Sequence, residues 1–396
     1  MDFNYSEEQL LLRDALDKYL QKNYSFEQRR AIIASRNGTS PAVWKGLASM
    51  GLLGLLVPEE FGGFDGSAVD VMLVMEAFGR ALVVEPYLPT AVLAASTIAL
   101  GGSPTQREAL LPRIADGSMK FAFAHTEPGI RGELSRITTT ARQEGGMWLI
   151  NGAKSVVMHG SAADLLIITA RTSGAADSRE GISVFFVNPA ETGVSGRDYP
   201  TYDGMRAAEV LLDHVKISSE SLIGVLDDGY ALLELVTDRA IAAVCAEAVG
   251  CMEALKDATL EYLKTRQQFG VPIGKFQVLQ HRMVDMWMST EQARSMAMLA
   301  AVKVDSPDAS ERRRGVSAAK EFIGRAGRFV SQQAIQLHGG MGMTDELSVG
   351  HYVKRLTAID TAFGDGDQQL DRFAAAPVQA RDEAAMKPAK KWKKLV

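Results

Sequence analysis

The period of the apolar residues changes twice along this chain, and that double switch constrains its fold more than any single motif. From Ser6 to about Gly117 apolar residues recur at helical spacing, as in Leu10, Leu11, Ala15 and Tyr19 and again in Val71, Val74, Met75 and Phe78. From about Met119 the pattern becomes that of strands, at Phe121 to Ala124, Ile137 to Ala141, Met147 to Ile150, Leu165 to Ile168, Ile182 to Val187 and Ala208 to Leu212. Glu144-Gly145-Gly146 and Asn151-Gly152 are expected to close tight hairpins, and Thr172 to Gly181 reads as a surface loop. After Gly229 the helical period returns, in amphipathic segments at about 230–265, 276–303, 312–337 and 346–362 and a shorter one beyond Asp365. Helices, then strands, then helices imply consecutive domains and exclude an alternating α/β sheet. The expected fold is mainly α with a β domain: a helical domain at 1–118, a β barrel or sandwich at 119–227, a four-helix bundle at 228–380 and a basic tail at 381–396.

Length and charge narrow the function classes. With 396 residues, 46% of them hydrophobic, the chain can bury two or three cores. A net charge of −5 gives no reason to expect a nucleic-acid partner. The run Lys387 to Lys394 is the basic exception, suited to an anionic surface or another subunit, or simply solvated. Cys245 and Cys251 stand six apart in one helical pattern, poorly placed to face each other, so a reducing compartment fits. Met1 to Asn4 opens an acidic amphipathic pattern, and no apolar run approaches membrane-spanning length, so a cytoplasmic protein without a membrane partner is expected. The apolar faces of four long helices exceed what one small bundle can cover, so an oligomer is expected too.

Two segments carry candidate chemistry. Gln336-Leu337-His338-Gly339-Gly340-Met341-Gly342-Met343 ends a long helical pattern in a glycine-rich turn, which fits either an ordinary helix C-cap or backbone amides closing on a diphosphate. Arg266-Gln267-Gln268-Phe269-Gly270 interrupts two helical segments with a guanidinium and an aromatic face together. It reads as a helix hairpin with a solvated arginine, or as a fork for phosphate beside a platform for a flat ring.

With Thr126-Glu127-Pro128, Phe3 to Gln9 and Val57-Pro58-Glu59-Glu60-Phe61-Gly62-Gly63, these segments make the chain similar, nearly end to end, to the acyl-CoA dehydrogenase family of flavoproteins. The resemblance implies FAD and α,β-desaturation of an acyl-CoA thioester, in which a carboxylate removes the α-proton while the β-hydrogen leaves as hydride to the flavin. It implies FAD binding through Thr126, Arg266, Gln268, Phe269, Phe276, Gln336, Gly339, Gly340 and Gln369, and substrate contacts at Arg239, Gly364 and Gly366, with no metal. It also implies an electron-transferring flavoprotein as acceptor, a tetramer, and a place in fatty acid or steroid degradation.

The family base, commonly glutamate, falls on Asp365 of Phe363-Gly364-Asp365-Gly366. Read from the residues alone, a carboxylate there is either the base or a helix N-cap. Asp238 is the alternative, at the place used by isovaleryl-type members, or else a helix-face charge. Gly364 replaces a family tyrosine; this either opens room for a bulky or dicarboxylic acyl group or is filled by another side chain.

The departures are uneven. Val156 and Met158 stand where the family carries tryptophan and threonine, and Gly129 to Glu133 lacks the usual Gly-Ser-Asp. The intact segments are those that in the family reach a neighbouring protomer's FAD. In this asymmetry the chain resembles the small subunit of heteromeric dehydrogenases of the pimeloyl-CoA or steroid side-chain type. A non-catalytic subunit that completes a partner's FAD site, or a flavin oxidase of the same fold, are the alternatives.

Overall fold

The computed structural model describes residues 5–376. The expectations placed on Met1 to Asn4 and on the basic tail lie outside the described residues. The chain begins with helices α1 (Glu7–Asn23), α2 (Phe26–Ala34), α3 (Pro41–Ser49) and α4 (Ala68–Ala81). A π-helical stretch Leu88–Ala94 then runs into α5 (Ala95–Gly101), followed by α6 (Pro104–Ala115). Their starts follow local chemistry. Ser6, Ser25, Ser67 and Ser103 each accept from a backbone N–H in the first turn, and the glutamine or aspartate three residues on returns the bond.

The middle of the chain forms one eight-stranded sheet. Its strands are β1 (Phe121–Ala124), β2 (Thr140–Glu144), β3 (Met147–Met158), β4 (Leu165–Arg171), β5 (Ile182–Val187), β6 (Val194–Pro200), β7 (Arg206–Ser218) and β8 (Leu222–Ile223). They lie in the order β6-β7-β3-β2-β4-β5-β8, with β1 parallel to β4.

Two expectations are corrected here and one strand is added. Asn151-Gly152 closes no hairpin: both residues sit inside β3 at a register shift, where a side chain on Gly152 would strike Thr139. The strand expected at Ile137 to Ala141 begins instead at Thr140, because the backbone N–H groups of Thr138 and Thr139 bond the buried Glu127 carboxylate and leave the ladder. β6 was not foreseen, since its exposed Ser195-Gly196-Arg197-Asp198 lacks apolar alternation.

The bundle follows: α7 (Tyr230–Thr265), a short hairpin of β9 (Gln267–Gln268) and β10 (Val271–Pro272), α8 (Gln277–Lys303), α9 (Ala309–His338), α10 (Ser348–Thr361) and α11 (Gly366–Ala375). One continuous core spans α1, α3 and α4 and the bundle helices α7 to α10, while the sheet keeps a core of its own around Trp148, Ile150, Ile168 and Phe185. α4 and α7 cross at glycine. A Cβ on Gly79 would meet the Glu247 carbonyl and one on Gly250 the Glu76 carbonyl, so the two backbones touch.

Buried cations fasten the sheet to both sets of helices. Arg29 of α2 donates to the carbonyls of Leu82 (2.8 Å) and Asp203 (2.9 Å). Arg355 of α10 bonds Glu247 of α7 (2.5 and 2.7 Å) and Asp203 (2.8 Å). Both cysteines are buried and free on α7. Among the described residues no helix is long and apolar enough to cross a membrane.

Candidate active site

The structure sorts most of the sequence candidates into two groups set apart along α9. The first group is exposed. The β9–β10 hairpin turns through Phe269 and Gly270, both at positive φ (54° and 78°), and leaves the Phe269 ring 90% exposed. Phe276 meets that ring edge-on at 6.1 Å. One turn before the hairpin Tyr262 stacks on His338 at 4.5 Å, which sets Arg266, Gln268, Phe269 and Phe276 beside Gln336, Gly339 and Gly340.

A side chain at Gly339 or Gly340 would meet nothing within 4 Å, and Gly339 holds φ +60°. The side chains of Arg266, Gln268 and Gln336 are exposed and bond nothing among the described residues. An open glycine turn ringed by an uncommitted guanidinium, two amides and two rings fits the adenosine diphosphate half of FAD.

The second group surrounds Asp365. Asp365 Oδ1 accepts from the Gln368 N–H (3.1 Å) and Gln368 Oε1 accepts from the Asp365 N–H (3.1 Å), so the residue starts α11 as an N-cap and still keeps an exposed carboxylate. Gln368 Nε2 donates to the Arg131 carbonyl (2.7 Å), joining this turn to the β-domain loop that also carries Thr126. Thr126 is itself exposed, and its carbonyl accepts from the Ser155 N–H (2.8 Å).

Behind the turn the buried Lys320 ammonium donates to the carbonyls of Asp360 (2.8 Å) and Gly364 (3.2 Å). Burial pushes the Lys320 pKa down. Gly364 is buried at φ +98°, and a Cβ there would meet the Gln369 amide at 3.0 Å. Gln369 is 2% exposed; its Nε2 donates to the Phe363 carbonyl (2.9 Å) and its Oε1 has no partner. An orphaned buried acceptor at the mouth of this turn fits a donor from a bound ligand.

Two candidates are committed elsewhere. Asp238 is fully buried and ion-paired to Arg312 of α9 (2.9 Å) and Arg372 of α11 (2.6 Å), while Glu234 one turn earlier takes Arg313. Its carboxylate ties three helices together and is not open to a substrate. Arg239 bonds Asp305 (2.9 Å) and Ser96 (3.1 Å), an inter-helix tie instead of a free substrate contact.

The sequence reading missed Lys320 and the Glu127–Lys154 pair. Lys320 shares an apolar stripe with Val316, Ile323, Gly327 and Val330, and a lysine on such a stripe is the signal that was available. Glu127 and Lys154 meet at 2.7 Å, both buried. Burial raises the Glu127 pKa, but the Lys154 ammonium and the bonds from Thr138 and Thr139 outweigh it and hold the carboxyl low. Gly366 is the first residue of α11. Among the described residues no cluster suits a metal.

Comparison with known proteins matches the chain to three family models: acyl-CoA dehydrogenase N-terminal domain over 6–118, middle domain over 122–215 and C-terminal domain over 227–376. "Probable acyl-CoA dehydrogenase YngJ" of Bacillus subtilis is 30% identical over 384 residues, 95% of this chain and 99% of that protein. The caffeyl-CoA reductase-Etf complex subunit CarC of Acetobacterium woodii is 28% identical over 350 residues, 87% of this chain and 91% of the other. The solved FAD complex of PigA superposes with a TM-score of 0.86 at 25% identity, covering 94% of this chain and 98% of that one.

Proposed function

The chain belongs to the acyl-CoA dehydrogenase family, and on that premise we propose that Asp365 is its base, that its acyl substrate is bulky, and that a second chain of the same fold completes its site. The reaction class is FAD-dependent dehydrogenation of an acyl-CoA thioester, with FAD as cofactor. FAD, when bound, supplies the two-electron acceptor. Asp365 receives the α-proton on a carboxylate oxygen while its other lone pairs hold α11 in place.

The observation that carries the reading is the separation of the two groups along α9. Lys320, against the Asp365 turn, and His338, beside the glycine turn, are eighteen residues apart on one helix, about 27 Å at 1.5 Å per residue. Arg266, Phe269, Gln336 and Gly340 would then hold the adenosine end of a dinucleotide whose flavin lies against another protomer. Met158 and Val156 offer no strong donor to a flavin of their own. The exposed Val278, Val284, Trp287 and Met288 of α8 supply an apolar face for a tetramer.

A bulky acyl group is favoured over a dicarboxylic one, because the guanidiniums of Arg239, Arg312, Arg355 and Arg372 are each already paired with carboxylates. Electrons would pass on to an electron-transferring flavoprotein, as the name of CarC suggests for that relative, with the reaction set in the cytoplasm. Purification of the chain alone, followed by co-expression with a second acyl-CoA dehydrogenase-like subunit, tests the heteromer. The lone chain should be flavin-poor and slow, and the pair yellow and active. A fully flavinylated homo-oligomer reduced by acyl-CoA would leave an ordinary dehydrogenase standing.

A further inference from the structure

Between α4, the segment leading into the π-helical stretch and the end of β3 lies a small cavity of about 40 Å³. It is too small for an acyl chain and large enough for one polar group or one water. Three of its lining residues carry a buried polar atom with no partner: Glu85 Oε2, Tyr87 Oη and His159 Nδ1. Glu85 is 4% exposed, Tyr87 1% and His159 3%. Unpaired polar atoms at such depth each cost about 1–3 kcal/mol, so three on residues that line one void favour a group that bonds them.

We propose that this cavity is a subsite for a neutral oxygen, a hydroxyl or a carbonyl, carried by the acyl group; the proposal rests on the acyl-CoA reading above. Leu88 relates the cavity to the Asp365 turn. Leu88 lines the cavity and also packs on the apolar cluster of Leu93, Val236 and Ala240, which Phe363, two residues before Asp365, covers. An acyl chain lying along that cluster would bring its far end to the three polar side chains.

The preference for a neutral group follows from what the walls can offer. Burial raises the Glu85 carboxyl to about 7, with one oxygen accepting from the Ser40 N–H (2.9 Å), so it readily carries a proton to donate. Burial, with Arg355 nearby, lowers His159 to about 4 and leaves its ring neutral. The Arg355 guanidinium also lines the cavity but is taken up by Glu247 and Asp203. A carboxylate entering here would be stripped of water and meet no uncommitted cation among the lining residues, whereas a hydroxyl finds both donors and acceptors.

The test uses S-alkyl-CoA thioethers, which lack the carbonyl that makes the α-proton acidic and so bind without reacting. One ladder of chain lengths has a methyl terminus and the other a terminal hydroxyl, and dissociation constants are read by calorimetry on the FAD-loaded protein with its partner chain if one is needed. At one chain length the hydroxyl member should bind about tenfold tighter. Tyr87→Phe and Glu85→Leu should each cut that preference to about twofold or less, while Glu85→Gln, which keeps a donor and an acceptor, should retain most of it. Equal binding of the two ladders at every length, or a preference that survives both Tyr87→Phe and Glu85→Leu, overturns the subsite and leaves a cavity that holds water. If no thioether of either ladder binds, the acyl-CoA reading fails first and the subsite with it.

Discussion

The two ends of α9 handle polar side chains in opposite ways. At the glycine turn Arg266, Gln268 and Gln336 stand in solvent without partners, whereas around Asp365 nearly every charge is taken: Asp238 by Arg312 and Arg372, Glu234 by Arg313, and Lys320 by two carbonyls. An uncommitted end is shaped for a ligand that the chain itself does not contain. A committed end is shaped to hold a loop still, and Asp365 there keeps an exposed face while its backbone and one oxygen are fixed by the cap. Pairing therefore separates the groups that hold the site in place from those that meet something else.

Asp365→Asn is the hardest test of that separation. Asparagine caps a helix as well as aspartate but cannot take a proton, so turnover should fall on the order of a thousandfold while melting temperature and bound FAD stay put. If turnover survives, Asp365 is only a cap and the two ends differ less than they look.

Asp238→Asn should do the reverse. Removing one charge from a buried cluster with Arg312 and Arg372 should cost about 3–5 kcal/mol of stability in denaturant unfolding. An unchanged unfolding midpoint with abolished turnover would move the base to Asp238.

Arg266→Ala probes the open end. It should weaken FAD binding by about 1.5–3 kcal/mol, roughly ten- to 150-fold, and leave the unfolding midpoint within experimental scatter, since the guanidinium holds nothing in its own chain. Unchanged flavin stoichiometry under dilution would remove this surface from the cofactor site.

Much of this was legible in the sequence. The four long helices appear within a few residues of their expected bounds because amphipathic period and glycine stops are local signals. The glycine turn and the Arg266 hairpin were legible for the same reason. What failed was whatever depended on a distant partner. The start of β2 is set by Glu127, eleven residues from Thr138, and β6 exists because β7 offers it an edge. The partners of Asp238 on α9 and α11 lie 74 and 134 residues away by number, and no spacing rule reaches that far. Glu85 escaped for a plainer reason: a lone glutamate beside Pro86 reads as surface, and only the fold shows it sealed.

The crossing of α4 on α7 reaches beyond the site. Because Gly79 and Gly250 let the two backbones touch, the N-terminal helices and the bundle share one core, and no plane of water-exposed side chains lies between them along which they could part. They belong to a single cooperative unit. The sheet has a core of its own on one side and on the other packs Phe121, Ile167, Val184, Phe186 and Ile223 against Ile98, Leu111 and Ile114 of α5 and α6, whereas the buried arginine clamps and, at the Asp365 turn, the Gln368 bond to the Arg131 carbonyl hold it to the bundle. Slow hydrogen exchange should therefore run unbroken from α4 into α7 and α9, and the first sub-global opening of the native state should be a lifting of the sheet's edge from the bundle, not a loosening of helix from helix.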